Sequence, residues 1–372
     1  MDRYIITSSF GLEKITKNEL TGLGYEILSV ENGAIEVEGG LMALADLNIN
    51  LRTADRVFLK VAEFEARSFD ELFERIYSIN WEDYLSEGAR FPVLTKSVKS
   101  ALYSKSDIQS ISKKAIVKKL SEDYGIEQFR EDEELVEIHV NLLNDKVSVL
   151  LNSSGAPLHK RGYRVQQGEA PLKETLAAGM ILLSDWRENK VLVDPFCGSG
   201  TLGIEAAMIG MQIAPGLNRS FAAENWVFVP HDLFKNARTE AKKKIKTEAK
   251  LDIRCYDIDQ NAIAMAKENA EEAGVMENIA FKQLAVKDLV LPEEKGVIVC
   301  NPPYGERLGD REKVLDLYAA LGDAFFDSDS FSAYVLTSNE DFENAFGDRA
   351  DKNRKLYNGN IKCYLYQYHF RR

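Results

Sequence analysis

At 372 residues, 45% hydrophobic and 28% charged, the chain has the make-up of an ordinary water-soluble protein with room for two or three domains. A net charge of −12 argues against a generic nucleic-acid binder, and no stretch reaches the roughly eighteen apolar residues of a membrane span. The opening MDRYIITSS shows no sign of export, and four scattered cysteines without a C-x-x-C argue against disulfides and structural zinc, so a cytoplasmic location is expected.

Residues 1–65 read as strand, helix, two strands, helix, strand. YIITSS is apolar and β-branched, and Gly11 opens the amphipathic LEKITKNEL. YEILSVENGAIEVEG is a hairpin hinged on Asn32-Gly33, a pair that tolerates positive φ at both turn positions. LMALADLNINL and RVFLKVAEF follow as helix and strand, the split βαβ order of a small ferredoxin-like sandwich. Ser68 and Asp70 are candidate caps for the helix DELFERIYSI. FPVLTKSV is a strand, and a helix beginning near Ser106-Asp107 buries Ile108, Ile111, Ala115, Ile116 and Leu120 as its stripe. ELVEIHVNLL and KVSVLLNSS are two strands around an Asn144-Asp145 turn.

Between positions 96 and 119, Lys96, Lys99, Lys105, Lys113, Lys114, Lys118 and Lys119 meet one acid, Asp107. This block is basic inside an acidic protein. It suits either a solvated helix face or a phosphate-binding face, and both readings stand. Residues 154–172 are rich in Gly, Pro and polar side chains and look like a domain junction, with a second basic cluster at His159, Lys160, Arg161 and Arg164.

From Leu172 the pattern alternates helices with apolar strands: LKETLAAGMILLSDW, KVLVDPF, TLGIEAAMIG, then an insertion, then LDIRCYDID, AIAMAKENAEEAG, IAFKQL, GVIVCN, VLDLYAALGDAFF and SAYVLTS. RKLYNGNIKCYLYQYHF closes the chain as a hairpin turning at Asn358-Gly359. Such βα units followed by a hairpin predict a doubly wound α/β sheet with one reversed strand. The insertion carries Lys235, Arg238, Lys242, Lys243, Lys244, Lys246 and Lys250, which read as a solvated helix in preference to an RNA clamp.

Two strand ends carry the chemistry. VLVDPFCGSGT, 191–201, is a strand, a glycine-rich turn and a helix start, where Gly198 and Gly200 let the backbone pass close to a ligand. Gly198, Gly200 and Gly203 match G-x-G-x-x-G, but Asp194 just before them would repel a pyrophosphate and attract the amino group of a sulfonium amino acid. Asp257, ending the next strand, suits ribose hydroxyls, and Ile258 suits an adenine face. Ala285 stands where a polar partner for the adenine amine is expected, leaving Gln283 or Asp288 for that role. VIVCNPPYG, 297–305, is a buried strand stopped by two prolines. Asn301 Oδ1 and the Pro302 carbonyl can accept both bonds of an exocyclic amine, and Tyr304 can stack on its ring.

DPFCGSGT and NPPYG in this order resemble the amino-methyltransferases of the N6-adenine/N2-guanine type. The preceding ferredoxin-like unit and lysine-rich segment resemble the THUMP RNA-binding module. With KRGYR at 160–164, APLKETLAA at 170–178 and APGLNRSF at 214–221, nearly the whole chain is similar to bacterial large-subunit rRNA guanine-N2 methyltransferases of the RlmL/YpsC type. The resemblance implies a Rossmann-like α/β methyltransferase domain over 161–372, preceded by a ferredoxin-like domain over 1–65 and a THUMP α+β domain over 66–160. Where some relatives carry a second methyltransferase domain, this chain is expected to lack that activity.

It implies S-adenosylmethionine held by Asp194, Pro195, Phe196, Gly198, Gly200, Thr201, Asp257, Ile258 and Asp288, with Asn301, Pro302 and Tyr304 catalytic. It implies 23S rRNA, or a ribosomal precursor, gripped by Lys96, Lys99, Lys113, Lys114, Lys118, Lys160, Arg161 and Arg307. No metal, membrane or obligatory oligomer is expected. Guanine's amine is a poor nucleophile because its lone pair is delocalised; oriented acceptors localise it, and the base must leave its stack to reach them. Cys197 and Cys300 read as structural, and His159 and His231 as surface or junction residues. Methylation of a tRNA guanine or of an adenine N6 remains open, as does an RNA-binding module without activity.

Overall fold

The computed structural model describes residues 1–31, 33–164, 172–305 and 311–370. In chain order the elements are β1 (Asp2–Ser8), α1 (Glu13–Gly22), β2 (Ile27–Glu31), β3 (Ala34–Gly39), α2 (Met42–Asn50), β4 (Ala54–Glu65), α3 (Phe69–Tyr77), β5 (Val93–Val98), α4 (Lys105–Tyr124), β6 (Ile138–Leu143) and β7 (Lys146–Asn152). There follow α5 (Glu174–Leu183), β8 (Val191–Asp194), α6 (Thr201–Gly210), α7 (Leu233–Lys243), β9 (Ile253–Asp257), α8 (Gln260–Glu272) and β10 (Ile279–Gln283). The last are β11 (Gly296–Cys300), α9 (Arg311–Phe326), β12 (Phe331–Thr337), α10 (Phe342–Phe346), β13 (Lys352–Asn358) and β14 (Ile361–Tyr368). No helix among the described residues is long and apolar enough to cross a membrane.

The chain divides into two compact units. The first comprises Met1–Thr7, Leu20–Leu158 and Ser220–Glu240; the second comprises Ser8–Glu19, His159–Arg219 and Ala241–Arg372. The first unit is one seven-stranded sheet in the order β2-β3-β1-β4-β7-β6-β5. Its first half has the expected split βαβ arrangement, with β3 antiparallel between β1 and β2. Twelve-residue β4 continues the sheet by pairing antiparallel with β7, so the strands of 1–65 and 66–152 share one sheet.

Local chemistry fixes several boundaries. Ser68 caps α3 as expected, but its partner is Glu71 in a reciprocal capping box, and Asp70 has no part in it. Asn144 and Asp145 both adopt positive φ, 51° and 65°, as a two-residue hairpin between right-twisted strands requires. Gly33 has φ 80°; its expected turn partner Asn32 lies outside the described residues. In α4 the buried positions are Ile108, Ser112, Ala115, Ile116 and Leu120; Ile111 is only half-buried.

The second unit is a seven-stranded sheet ordered β10-β9-β8-β11-β12-β14-β13. Neighbours are parallel from β10 to β12, and β14 is the reversed strand between β12 and β13. The closing hairpin turns between Asn358 and Ile361, one residue later than expected. Apolar cores cover both sheet faces. One gathers Leu176, Ile204, Ile263 and Leu12; the other gathers Tyr318, Phe325, Phe342 and Phe346. With both faces covered, β11 is buried at every residue, which explains its unbroken apolar run. From β8 the chain winds out to β9 and β10, then returns to β11 on the other side. The switch point of this sheet therefore falls at the C-terminal ends of β8 and β11, where such folds bind ligands.

Candidate active site

Asp194 ends β8 and is 1% exposed. Its carboxylate accepts from the Phe196 N–H at 3.1 Å. Burial, with a smaller contribution from the Asp257 charge, pushes its pKa up to about 8. Pro195 is buried and Phe196 half-buried. Beyond them the backbone is tied to the next strand. The Cys197 N–H donates to the Tyr256 carbonyl at 2.8 Å, and the Gly198 N–H to Asp257 Oδ2 at 2.9 Å. Asn269 in α8 donates to the Ser199 carbonyl at 3.0 Å.

Gly198 and Gly200 take φ of 52° and 80°, a region that disfavours a side chain. Space around Gly198 is open, with no atom within 4 Å of where a Cβ would stand. At Gly203 a Cβ would lie 2.4 Å from Cys255 Sγ, so that glycine serves close helix–strand packing. Asp257 also accepts from the Asp259 N–H at 2.9 Å, and Asp259 caps α8. Ile258 is 69% exposed, an apolar face at a strand tip with no core to explain it. Asp288 lies exposed in a short turn after Ala285, and the Gln283 amide donates to the Ile258 carbonyl at 2.9 Å. These residues gather, at the ends of neighbouring parallel strands, groups suited to a flat ring, vicinal hydroxyls and a cationic group.

The other wall follows β11, which pairs with β8 so that Ile298 faces Val193. Pro302 is buried and Asn301 half-buried. Tyr304 folds back: its hydroxyl donates to Asn301 Oδ1 at 2.6 Å, and Asn358 donates to that hydroxyl at 3.3 Å. Its ring packs against the core, and burial holds its pKa far above the usual phenol value, so it stays a donor. Two other ties fix this turn: Tyr318 donates to the Pro303 carbonyl at 2.7 Å, and Asn339 to the Tyr304 carbonyl at 3.2 Å. Among the described residues the Pro302 carbonyl accepts no hydrogen bond. For Tyr304 to stack on a ring, its bond to Asn301 must first open. Asn339, Asn358 and Tyr318 were not expected here, since each comes from a separate element far along the chain.

The basic residues divide sharply. Lys96, Lys99, Lys114, Lys118 and Lys160 are exposed. Lys113 instead pairs with Glu131 at 3.0 Å and sits 4.0 Å above the Phe91 ring. Arg161 is 3% exposed and pairs with Glu205, itself fully buried, at 3.4 Å. Its expected grip on RNA is thereby overturned: a guanidinium sealed against an internal carboxylate cannot reach a phosphate. Arg164 pairs with Glu174 at 3.0 Å and donates to Thr201 Oγ1 at 3.1 Å, so the expected cofactor residue Thr201 is engaged from within. Arg307 lies outside the described residues. In the insertion, Arg238 pairs with Glu224 at 2.6 Å. All four cysteines are buried thiols outside any disulfide. Burial, with the charges of Lys173 and its arginine and lysine neighbours, lowers the His159 pKa to about 4.

A doubly wound sheet with a reversed strand beside its edge, an acid–glycine turn after β8 and an Asn-Pro-Pro-Tyr turn after β11 define the Rossmann-like methyltransferase class. Comparison with known proteins makes this specific. Residues 161–367 match the family model described as the RMKL-like methyltransferase domain, residues 3–58 the RlmL ferredoxin-like domain, and residues 66–152 the THUMP domain. The chain belongs to the RMKL-like methyltransferase family.

It is 49% identical to "Putative RNA methyltransferase YpsC" of Bacillus subtilis (strain 168), over 98% of this chain and 95% of that one. It is 34% identical to "Ribosomal RNA large subunit methyltransferase K/L" of Shewanella amazonensis over 98% of its length, and spans about half (52%) of that longer relative. A crystal structure of "SMU.472, a putative methyltransferase complexed with SAH" superposes with a TM-score of 0.93 at 43% identity, covering 100% of this chain and 98% of the other.

Proposed function

We propose that this protein methylates the exocyclic N2 amine of a guanine in large-subunit (23S) rRNA. S-adenosylmethionine is the cofactor; when bound it supplies a methyl group already activated on a positively charged sulfur. The residues fit it: a buried carboxylate that pairs with no cation among the described residues, an open glycine turn and an exposed apolar face suit a cationic amino acid, a backbone-hugging chain and a purine. In this reading Asp194 takes the α-ammonium, the turn from Pro195 to Thr201 passes beneath, Asp257 takes ribose hydroxyls, and Ile258 with Asp288 flanks the adenine.

The observation that carries the proposal is the acceptor at the tip of β11, one strand and about 5 Å across the sheet from Asp194's strand. Asn301 Oδ1 already accepts a hydrogen bond there, from Tyr304, so its orientation is set. An amine replacing that hydroxyl would be held by Asn301 and the Pro302 carbonyl, restoring its lone pair towards the donor side. The base must be everted from its helix or taken from a loop, with the freed Tyr304 ring beside it. Lys96, Lys99, Lys114, Lys118 and Lys160 are exposed cations for the RNA backbone. The rRNA assignment is further supported by the names of the relatives.

Mass mapping of ribosomal RNA from a strain lacking the gene tests the proposal. The expected result is the loss of one N2-methylguanine from 23S rRNA, restored by the wild-type gene. Loss of a methylated tRNA guanine or of an N6-methyladenine, with 23S rRNA unchanged, would replace the substrate assignment. No lost methyl group in any RNA would remove it.

A further inference from the structure

The hairpin formed by β13 and β14 has two unlike faces. Its register sets Lys355 opposite Tyr364 and Tyr357 opposite Lys362; between and beyond these pairs, Leu356 faces Cys363 and Asn358 faces Ile361. Side chains alternate across a sheet, so the first two pairs share one face and the last two the other. Leu356 and Cys363 are fully buried, and Asn358 is the residue that reaches the Tyr304 hydroxyl. That face belongs to the core and the catalytic turn.

The opposite face carries two lysines and two tyrosines set diagonally. Lys355 Nζ lies 5.3 Å from the centre of the Tyr357 ring, and Lys362 Nζ 5.3 Å from that of Tyr364. Phe10 extends the patch. It is 58% exposed, stands edge-on to Tyr357 at 5.7 Å, and has Lys355 Nζ 5.4 Å from its own ring centre. Its position is fixed by its neighbour: Arg354 donates to the Gly11 carbonyl at 3.2 Å, and a Cβ on Gly11 would lie 2.5 Å from the Lys355 carbonyl oxygen. Both lysines are exposed, and neither pairs with a carboxylate among the described residues. Phe10 is thus an exposed aromatic ring held beside two exposed lysines, in a protein whose net charge is −12.

We infer that this hairpin face is a platform for single-stranded RNA, receiving nucleotides that flank the target base. The inference rests on the RNA substrate proposed above. Each nucleotide of a single strand offers one flat base and one negative charge, and rings interleaved with cations match both. The place also fits. Tyr357 precedes Asn358, whose amide touches Tyr304, which in turn bonds Asn301 Oδ1. A strand lying on Phe10, Tyr357 and Tyr364 passes the edge of the catalytic turn.

The test uses the full chain with two probes: 23S rRNA from a strain lacking the gene as methyl acceptor, and a short labelled single-stranded RNA compared with its duplex. The double variant Lys355→Gln/Lys362→Gln is expected to raise KM for rRNA about tenfold. It should also reduce the salt slope of single-strand binding by about 1.4, roughly 0.7 for each phosphate that is no longer neutralised. Phe10→Ala should weaken the single-stranded probe about fivefold or more and the duplex much less. S-adenosylmethionine affinity, measured by calorimetry, should stay at the wild-type value in all variants, which also reports that they are folded. If the wild type methylates no RNA, the substrate reading fails. If the wild type methylates rRNA while the double variant keeps the parental KM and salt slope, the platform alone is overturned.

Discussion

Side chains from neighbouring elements brace the backbone of both turns, but the turn after β11 also joins two of its own expected site residues, Tyr304 and Asn301. In the first, the N–H groups of Cys197 and Gly198 and the carbonyl of Ser199 are all bonded to β9 or α8. Asp194 and the open space at Gly198 take no part in those ties. In the second, Tyr304 occupies the Asn301 oxygen, and Tyr318 and Asn339 brace the backbone. In the reading proposed above, the donor half of the site is preformed, while in the acceptor half the Tyr304 hydroxyl holds Asn301 and must give way to the base. Such an order of events lets the cofactor bind without substrate.

The largest break in that contrast comes from Asn301→Ala. Turnover should fall by about 10²–10³-fold or more, the scale of losing one oriented catalytic hydrogen-bonding group. S-adenosylmethionine affinity should stay within a few-fold, as single-turnover assays and calorimetry would show. A variant with wild-type turnover would remove Asn301 from the chemistry.

Asp194→Asn acts on the other turn and should weaken S-adenosylmethionine binding by about 10- to 100-fold, the range for losing a charge-assisted bond. The pH dependence follows in sign. Between the ordinary 3.8 and about 8, the folded chain holds a proton on Asp194 that the unfolded chain has lost. Raising the pH through that window therefore removes stability from the donor-free protein. A cationic ligand selects the ionised form, so affinity should rise towards pH 8 with release of a proton. Titrations in buffers of different ionisation enthalpy would detect that proton; the same release from Asp194→Asn would assign it elsewhere.

Gly200→Ala sharpens the claim that the first turn is preset. A Cβ there would stand 3.0 Å from the Ala266 Cβ with φ at 80°. The left-handed backbone alone costs about 1–2 kcal/mol for a residue with a side chain. A melting temperature lowered by a few degrees with cofactor affinity down several-fold is expected; an unchanged melt would show the turn to be pliable.

The smallest effect belongs to Tyr304→Phe, which deletes only the hydroxyl that competes for Asn301. KM for RNA should fall by less than about fivefold with kcat preserved, on the scale of one neutral hydrogen bond. A kcat reduced by an order of magnitude would mean that the hydroxyl takes part in the reaction itself.

Much of this site can be read along the chain because its parts are local. An acid, two glycines at positive φ and a helix start lie within a few residues of one another, and so do the amide, prolines and tyrosine after β11. Backbone conformation and strand ends are properties of neighbouring residues, and apolar runs and alternation disclose the strands that carry them.

Side-chain partnership is different. Arg161 and Lys113 look like their exposed basic neighbours in sequence, yet Arg161 meets Glu205 and Lys113 meets Glu131 only once the chain has folded. The same holds for Asn358 and Asn339 beside Tyr304, for Phe10 on the hairpin, and for β4 joining two halves into one sheet. The sequence alone determined where β8 and β11 end and which turns follow them, since turns and periodicity act over a few residues. Which charges remain open to a substrate was decided only by tertiary packing, because burial and pairing are set by groups brought together from distant positions.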